Sequence, residues 1–348
     1  MAKIAPLTRE DIRSVISGRS IASRVPVYIH FWVHPDTFGD REAAVHEILS
    51  RYPEDIQLVP FRMPYEYDPP EDDPEYRWLT YPDPYEGREV ALDERIAMPD
   101  WSRLDEIIEK FPNPNYPNLF KWAKPADGRY RLAHWFFCFF ERHWSLRGMT
   151  NALLDYYEHP EEVHRLFRAL TDFYKGIIIR AGKEQKCDGL WISDDLGTQT
   201  GPFFSVKMFR EFYKPYYKEL IDAAHGHGMQ VWMHACGNVE PFIPEWIDIG
   251  LDVIHPIQKY AMDEKKIAAE YGSKITVFAG LEVQQVIPCG TPDEVRKEVR
   301  FLIDTYWRPG EGRCMITAGN GINGDCPLAS LEAFLDESFR YGRKKVRG

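Results

Sequence analysis

The sequence lacks a long apolar run. No stretch reaches the roughly 18 consecutive apolar residues that a membrane-spanning helix requires. The N-terminus, Met-Ala-Lys-Ile-Ala-Pro, also lacks the apolar core of a secretory signal peptide. These two absences predict a soluble cytoplasmic protein that does not associate with membranes.

Basic charge is scarce as well. The 43 lysines and arginines are outnumbered by 54 aspartates and glutamates, which leaves a formal net charge of −11 at pH 7. Nucleic-acid binding needs clustered basic side chains, so this balance argues against a nucleic-acid partner. The 6 cysteines are spread along the chain without the spacing of a secreted disulfide framework, and we expect reduced thiols.

The chain is long enough for one large core, and we predict a single domain over residues 1–348. Thr8, followed by acidic residues, predicts a helical extension at the N-terminus. Residues 64–130 are rich in proline, acids and tyrosine and predict an irregular insertion with one helix near 101–110. Such an insertion is either a lid over a binding site or an ordinary surface segment.

The remaining sequence alternates between strand and helix patterns. Eight strands are predicted, at 25–32, 56–63, 131–140, 189–195, 230–236, 253–258, 276–281 and 314–320. This alternation predicts a parallel α/β sheet, and eight units predict a closed (β/α)8 TIM barrel with the insertion after strand two. An open doubly wound sheet is the competing fold. No G-x-G-x-x-G motif follows the first strand, which weakens a dinucleotide-binding fold.

The pair His234 and Cys236 ends the fifth predicted strand. Side chains at positions i and i+2 of a strand share one face and lie about 7 Å apart, so one ion could accept both. Imidazole and thiolate favour zinc over magnesium or calcium. The alternative is a satisfied buried histidine beside a small buried thiol.

Other polar residues stand at the ends of the predicted strands, where barrel active sites are built. We predict catalytic roles for Asp194, Asp195 and His30, and we favour Asp195 over Asp194 because one of the two would cap the next turn. We predict substrate contacts from a second group: Trp32, Gln199, Gln258 and Asn320. Glu282 is a candidate third metal ligand, or else the partner of an arginine, and His255 is assigned a structural role.

Six motifs in the C-terminal two thirds resemble those of one superfamily. They lie at 194–199, 209–217, 234–237, 249–253, 290–295 and 319–322. In this order they resemble the uroporphyrinogen decarboxylase superfamily over residues 130–345. The resemblance implies a (β/α)8 barrel.

One branch of that superfamily comprises the uroporphyrinogen decarboxylases. The resemblance implies an enzyme without a cofactor that holds an acidic tetrapyrrole with N-terminal arginines and an aspartate. Those arginines lie in an Arg-Gln-Ala-Gly-Arg run, whereas residues 30–36 here read His-Phe-Trp-Val-His-Pro-Asp. Eight substrate carboxylates need cationic partners, so this difference argues against uroporphyrinogen as the substrate.

The other branch comprises the corrinoid-dependent methyltransferases. Their resemblance implies zinc held by a His-x-Cys pair and by a further cysteine at the end of strand eight. The zinc lowers the pKa of a thiol substrate, and the thiolate takes a methyl group from a methylated corrinoid. This chain has His234 and Cys236, but Asn320 stands where the further cysteine is expected. Asp195 or Glu282 would then complete the site.

Three hypotheses follow. The leading one is a zinc-dependent methyltransferase. It moves a methyl group between a donor and a thiol or similar acceptor. The donor is either a corrinoid carried by a partner protein or a small methylated substrate. The second is a metal-free decarboxylase acting on a smaller or less acidic porphyrin-type substrate, with Asp194 or Asp195 steadying a protonated intermediate. The third is a non-catalytic barrel that binds a small-molecule ligand or a corrinoid protein. A homodimer is also expected.

Overall fold

A computed structural model describes residues 4–61, 74–75, 96–135 and 137–347. Its centre is a sheet of seven parallel strands whose spatial order follows the chain. The strands are β1 Ile56–Pro60, β2 Tyr130–His134, β3 Gly189–Ser193, β4 Gln230–His234, β5 Val253–His255, β6 Thr276–Leu281 and β7 Cys314–Ala318. Parallel neighbours in chain order require crossover connections, and helices supply them.

The helices of the described residues fall mainly where the sequence predicts them. They are α1 Arg9–Ile16, α2 Glu42–Ser50, α3 Leu104–Glu109, α4 Phe140–Arg147, α5 Met149–Glu158, α6 Pro160–Gln185, α7 Val206–Met208, α8 Lys214–His225, α9 Ile243–Asp248, α10 Glu264–Tyr271, α11 Val286–Cys289, α12 Pro292–Tyr306 and α13 Leu328–Arg347. A π-helical turn, Phe209–Tyr213, joins α7 to α8. Short 3-10 turns occupy His30–Trp32, Pro35–Arg41, Trp101–Arg103 and Glu240–Phe242.

The predicted N-terminal helical extension is confirmed as α1. Thr8 and Asp11 form a capping box, in which the Thr8 hydroxyl accepts the Asp11 N–H and the Asp11 carboxylate accepts the Thr8 N–H. The two side chains satisfy backbone donors that a helix start leaves unpaired. The helix predicted near 101–110 is confirmed as α3.

The sheet curls around an interior filled with aromatic side chains. Trp32, from the segment before β1, stacks on His255 of β5 with ring centroids 5.2 Å apart. The same indole meets Trp191 of β3 edge-on at 5.7 Å. Strands that are not neighbours therefore share one interior, which a flat sheet would not allow.

The first predicted strand, 25–32, is not confirmed. It makes one parallel bridge, between Val27 and Ile316 of β7, and then becomes the 3-10 turn His30–Trp32. The Val27 N–H donates to the buried Asp55 carboxylate at 2.9 Å instead of to a strand ladder. The described sheet therefore has seven strands and not the predicted eight.

The third predicted strand, 131–140, is wrong in its second half. β2 ends at His134, and Phe137 has a left-handed backbone with a φ of 63°. The chain then enters α4, for which the sequence carries no local signal. This turn brings α4 against the end of β3.

Part of the predicted insertion lies outside the described residues. Residues 62–73 and 76–95 belong to this part, so the prediction that residues 64–130 form a lid is not tested. Within the part of the chain that the structure describes, no helix combines the length and the apolar character needed to cross a membrane.

Candidate metal centre

Three side chains with metal-binding atoms meet at the C-terminal ends of β3 and β4. They are Asp195, His234 and Cys236, and their ligand atoms all lie within 4.8 Å of one another. His234 Nε2 is 3.3 Å from Cys236 Sγ and 3.5 Å from Asp195 Oδ1. A donor set of one nitrogen, one sulfur and one oxygen matches the ligands that zinc accepts in proteins.

Backbone contacts fix the two loops that carry these ligands. The Cys236 N–H donates to Asp195 Oδ1 at 2.7 Å, and the next N–H, from Gly237, donates to Gln258 Oε1 at 2.6 Å. Gly237 has a φ of 80°, and a Cβ there would lie 2.3 Å from the backbone of Gly197. Only glycine permits this close approach, so the local sequence holds the loop after β4 against the loop after β3.

Burial sets the protonation of His234 and Cys236. It raises the pKa of the Cys236 thiol above its usual range, and the neighbouring Asp195 charge raises it further. It also lowers the pKa of His234. At neutral pH the metal-free site therefore holds a protonated thiol and a neutral imidazole.

Zinc affinity is expected to rise about tenfold per pH unit between about pH 6 and pH 8. Zinc must displace the Cys236 proton, whereas neutral His234 has no proton to lose from the coordinating nitrogen. Raising the pH removes the competing proton and so strengthens binding. Competition titrations against a chelator of known pH dependence measure the slope. A pH-independent affinity would contradict the assignment of Cys236 as a ligand.

Asn320 lies beside the Cys236 sulfur. Its Oδ1 accepts the Gly321 N–H at 2.7 Å, which turns Nδ2 toward Cys236 Sγ at 3.6 Å. The residue therefore donates a hydrogen bond to sulfur from the place where the resemblance suggested a second cysteine. It also lines the neighbouring cleft.

Asp194, for which we predict a catalytic role, does not belong to the cluster of metal-binding side chains. Both aspartates follow β3, but Asp194 is fully buried whereas the Asp195 side chain is 40% exposed. Its carboxylate accepts the N–H groups of Phe139, Phe140 and Glu141 at 2.8–3.0 Å. Burial raises the pKa of Asp194 to about 6. The residue acts as the N-terminal cap of α4.

His30 and Glu282 also lie outside the cluster, although Glu282 lines the neighbouring cleft. His30 Nε2 lies 3.1 Å from the Leu49 carbonyl oxygen of α2, outside the metal-ligand cluster. The Glu282 carboxylate accepts three backbone N–H groups at 2.6–2.7 Å, from Gln284, Gln285 and Val286. It caps α11, and Asp195 is the acidic member of the cluster instead.

An open cleft of about 180 Å³ lies beside the cluster. Gln258 Nε2 donates to Gln199 Oε1 at 3.3 Å across one wall. Trp32 is not part of the lining: it is 4% exposed, and its ring lies 5.5 Å from that of His234. The structure thus brings three of the four predicted substrate residues to the cleft. Trp32 instead packs against the rings of His234 and His255. The polar lining includes Gln199, Gln258, Lys259, Gln284 and Asn320.

Sequence reasoning missed Glu141, which lies next to the site. This glutamate of α4 is buried, and its Oε2 accepts a hydrogen bond from Ser193 Oγ at 3.1 Å. Burial raises its pKa well above the usual range, and the charges of Asp195 and Asp194 raise it further. No pattern near residue 141 predicts this position because α4 itself was not predicted.

Comparisons with known proteins agree with the motifs. Residues 144–341, more than half of the chain, match the model of the uroporphyrinogen decarboxylase (URO-D) family. A curated relative, the methylated-thiol–coenzyme M methyltransferase of Methanosarcina mazei, is 24% identical over 182 residues. That match covers 51% of this chain and 44% of the relative, so the chain spans less than half the length of the relative.

A solved structure shows the same fold. It is a methyltransferase from Methanosarcina mazei, with a TM-score of 0.57 and 14% identity, and the match covers 95% of this chain and 98% of that one. At this identity the likeness concerns the fold alone. The family match, by contrast, covers the strand ends that carry Asp195, His234 and Cys236. The chain belongs to the uroporphyrinogen decarboxylase (URO-D) family.

Proposed function

We propose that this protein is a zinc-dependent methyltransferase. It moves a methyl group from a corrinoid, carried by a separate protein, or from a small methylated substrate, to a thiol or a similar acceptor. The observation that carries the proposal is the cluster of Asp195, His234 and Cys236 beside an open cleft. The name of the curated relative, a methylated-thiol–coenzyme M methyltransferase, supports a thiol chemistry.

The three side chains fit a catalytic zinc ion. Catalytic zinc sites use three protein ligands and keep a fourth position for water or substrate. The Cys236 thiolate and the Asp195 carboxylate would together balance the charge of a divalent ion, with His234 neutral. Bound zinc lowers the pKa of a coordinated thiol, which supplies a thiolate nucleophile at neutral pH.

The residues of the cleft favour a small polar acceptor. Gln199, Gln258 and Asn320 offer uncharged amides that can orient a substrate without attracting a strong negative charge. Lys259 is engaged, because its Nζ lies 2.6 Å from a carboxylate oxygen of Glu298. Among the described residues that line the cleft there is no arginine. A substrate with eight carboxylates would lack partners there, so we place decarboxylation of uroporphyrinogen second.

We also propose a closed barrel and a protein partner. We propose that the segment before β1 completes a (β/α)8 barrel, supported by the bridge from Val27 to Ile316. The open end of that barrel would then face the corrinoid protein, since the cluster and the cleft lie at the C-terminal strand ends. Sedimentation of this protein alone and with a corrinoid protein would test both that partner and a homodimer.

A direct assay of thiol methylation tests the function. Zinc-loaded protein, methylcobalamin and a panel of small thiols are expected to yield methyl thioethers. The methyl–cobalt bond breaks, with its electron pair left on cobalt as cob(I)alamin, and a carbon–sulfur bond forms as the thiol loses its proton. Mass spectrometry detects the thioether under anaerobic conditions, and absorbance follows the corrinoid. Chelator-treated protein is the control. Zinc binding without thioether from any thiol would contradict the proposal, and release of CO2 from uroporphyrinogen would favour the decarboxylase.

A further inference from the structure

We propose that His255 is a positioning residue that fixes the tautomer of His234. It holds a hydrogen on His234 Nδ1 and so leaves the Nε2 lone pair directed at Cys236 and Asp195. The part of this proposal that concerns metal affinity rests on the proposed function. The tautomer itself is a property of the metal-free protein.

The hydrogen-bond direction is first set at β7. His255 Nε2 lies 2.9 Å from the carbonyl oxygen of Ala318. A carbonyl oxygen only accepts, so Nε2 carries the hydrogen. His255 is fully buried among aromatic rings, where a charged imidazolium is costly. The ring is therefore neutral, and its Nδ1 is an acceptor.

The hydrogen bond between the two histidines then fixes the tautomer of His234. His234 Nδ1 and His255 Nδ1 are 2.7 Å apart, a normal hydrogen-bond distance. Because His255 Nδ1 accepts, His234 Nδ1 donates. His234 is buried as well, and a second charge against the neighbouring histidine would be costly. Its Nε2 therefore presents a lone pair at the point where Cys236 and Asp195 converge.

Contacts on the ligand side point in the same direction. The amide of Asn320 is oriented by the Gly321 N–H, so its Nδ2 donates to Cys236 Sγ. In this tautomer His234 Nε2 is an acceptor, so its 3.3 Å contact with Cys236 Sγ takes the thiol as the donor. One continuous donor-to-acceptor chain results, which runs through Asn320, Cys236, His234, His255 and the Ala318 carbonyl.

Packing keeps the His255 ring in this orientation. Trp32 stacks on it with an interplanar angle of 20°, and Phe278 and Trp191 contact it at centroid distances of 5.1 and 5.9 Å. The opposite tautomer of His234 would place two nitrogen lone pairs against each other in a buried position. An unmade hydrogen bond of this kind is costly, so one tautomer dominates.

The tautomer and ring orientation of His234 are therefore already suited to metal binding in the metal-free protein. A histidine that ligates a metal through one nitrogen is oriented by the hydrogen bond of the other. Here the acceptor is a second, neutral histidine, which relays the bond to the backbone of β7. Groups on β4, β5 and β7 thus together orient the lone pair on His234 Nε2.

Nitrogen-15 NMR of the metal-free, full-length protein labelled at histidine tests the tautomer. We expect His234 to carry its hydrogen on Nδ1 and His255 on Nε2. Signals are assigned by comparison with the variants His234→Gln and His255→Phe. In His255→Phe the His234 signals should shift toward a mixture of tautomers. A hydrogen on His234 Nε2 in the wild-type protein would overturn the proposal.

Zinc competition against a chelator provides the second readout. His255→Phe retains an aromatic ring but removes the acceptor, and zinc affinity should fall about 10- to 100-fold, as for other partners of ligating histidines. His255→Gln restores an acceptor and a donor and should recover part of the loss. Thermal unfolding of both metal-free variants checks that the fold persists.

The outcomes separate this inference from the proposed function. Wild-type protein with the expected tautomer and no zinc affinity would refute the zinc enzyme and retain the role of His255. Wild-type protein that binds zinc no better than His255→Phe would retain the zinc site and refute that role. If neither variant folds, the tautomer of the wild-type protein still decides.

Discussion

The variant Cys236→Ser is expected to lose zinc affinity by more than about 100-fold and to lose methyl transfer. A ligand contributes more than the hydrogen-bond partner of a ligand, for which losses of about 10- to 100-fold are usual. The serine hydroxyl is a poor zinc ligand at neutral pH, and it leaves only Asp195 and His234 in the cluster. Plasma mass spectrometry of protein purified without chelator measures the metal content, and the thioether assay measures activity.

The matched control is Cys289→Ser. Cys289 is exposed at the end of α11 and does not belong to the ligand cluster, so its replacement should change neither zinc content nor activity. Full zinc content in Cys236→Ser would refute the metal centre. The absence of metal from the wild-type protein, even after incubation with zinc, would refute it as well.

The neighbouring aspartates are expected to give opposite results when each is replaced by alanine. Asp194→Ala should lower the free energy of unfolding by about 4 kcal/mol, because several buried donors lose one acceptor. These donors are three N–H groups at the start of α4 and the Tyr217 hydroxyl, which lies 2.5 Å from Asp194 Oδ2. Urea unfolding of the metal-free protein measures this change.

Asp195→Ala is expected to leave the metal-free fold nearly unchanged and to weaken zinc binding. The Asp195 side chain is 40% exposed and accepts one backbone N–H, from Cys236. Its removal costs a ligand and little packing. Equal destabilisation by the two substitutions would contradict the assignment of Asp194 as a helix cap and Asp195 as a ligand.

Local sequence patterns predicted much of the fold and two of the three side chains of the cluster, His234 and Cys236. The Thr8 cap, the strand and helix alternation and the His234-x-Cys236 pair all depend on residues close together in the chain. The interactions that define these features lie within one turn or one strand, so they can be predicted from the sequence alone.

The remaining features depend on contacts between distant residues. α4 is capped by Asp194, which lies 53–55 residues further along the chain from the N–H groups it accepts. The Val27 N–H donates to the Asp55 carboxylate instead of to a neighbouring strand. Nothing at residues 25–32 or 131–140 reports these partners, so both segments were predicted as full strands. Glu141 was missed for the same reason.

Local backbone geometry decides which acidic side chain joins the cluster. Glu282 and Asp195 both follow strands, and the sequence does not distinguish them. The chain after β6 turns at once into α11, whose N–H groups take up the Glu282 carboxylate. The chain after β3 turns toward β4 and directs Asp195 at the histidine and the cysteine.

The raised pKa of the Cys236 thiol bears on how the protein withstands oxidants. Peroxide attacks thiolates in preference to thiols. The metal-free sulfur stays protonated at neutral pH and should be oxidised slowly, whereas metal binding converts it to the thiolate. Because this is the sole sulfur in the cluster, one oxidation event would remove it as a ligand. In air, the metal-free protein is therefore expected to retain its Cys236 thiol longest, and the metal-bound protein is expected to lose its activity fastest.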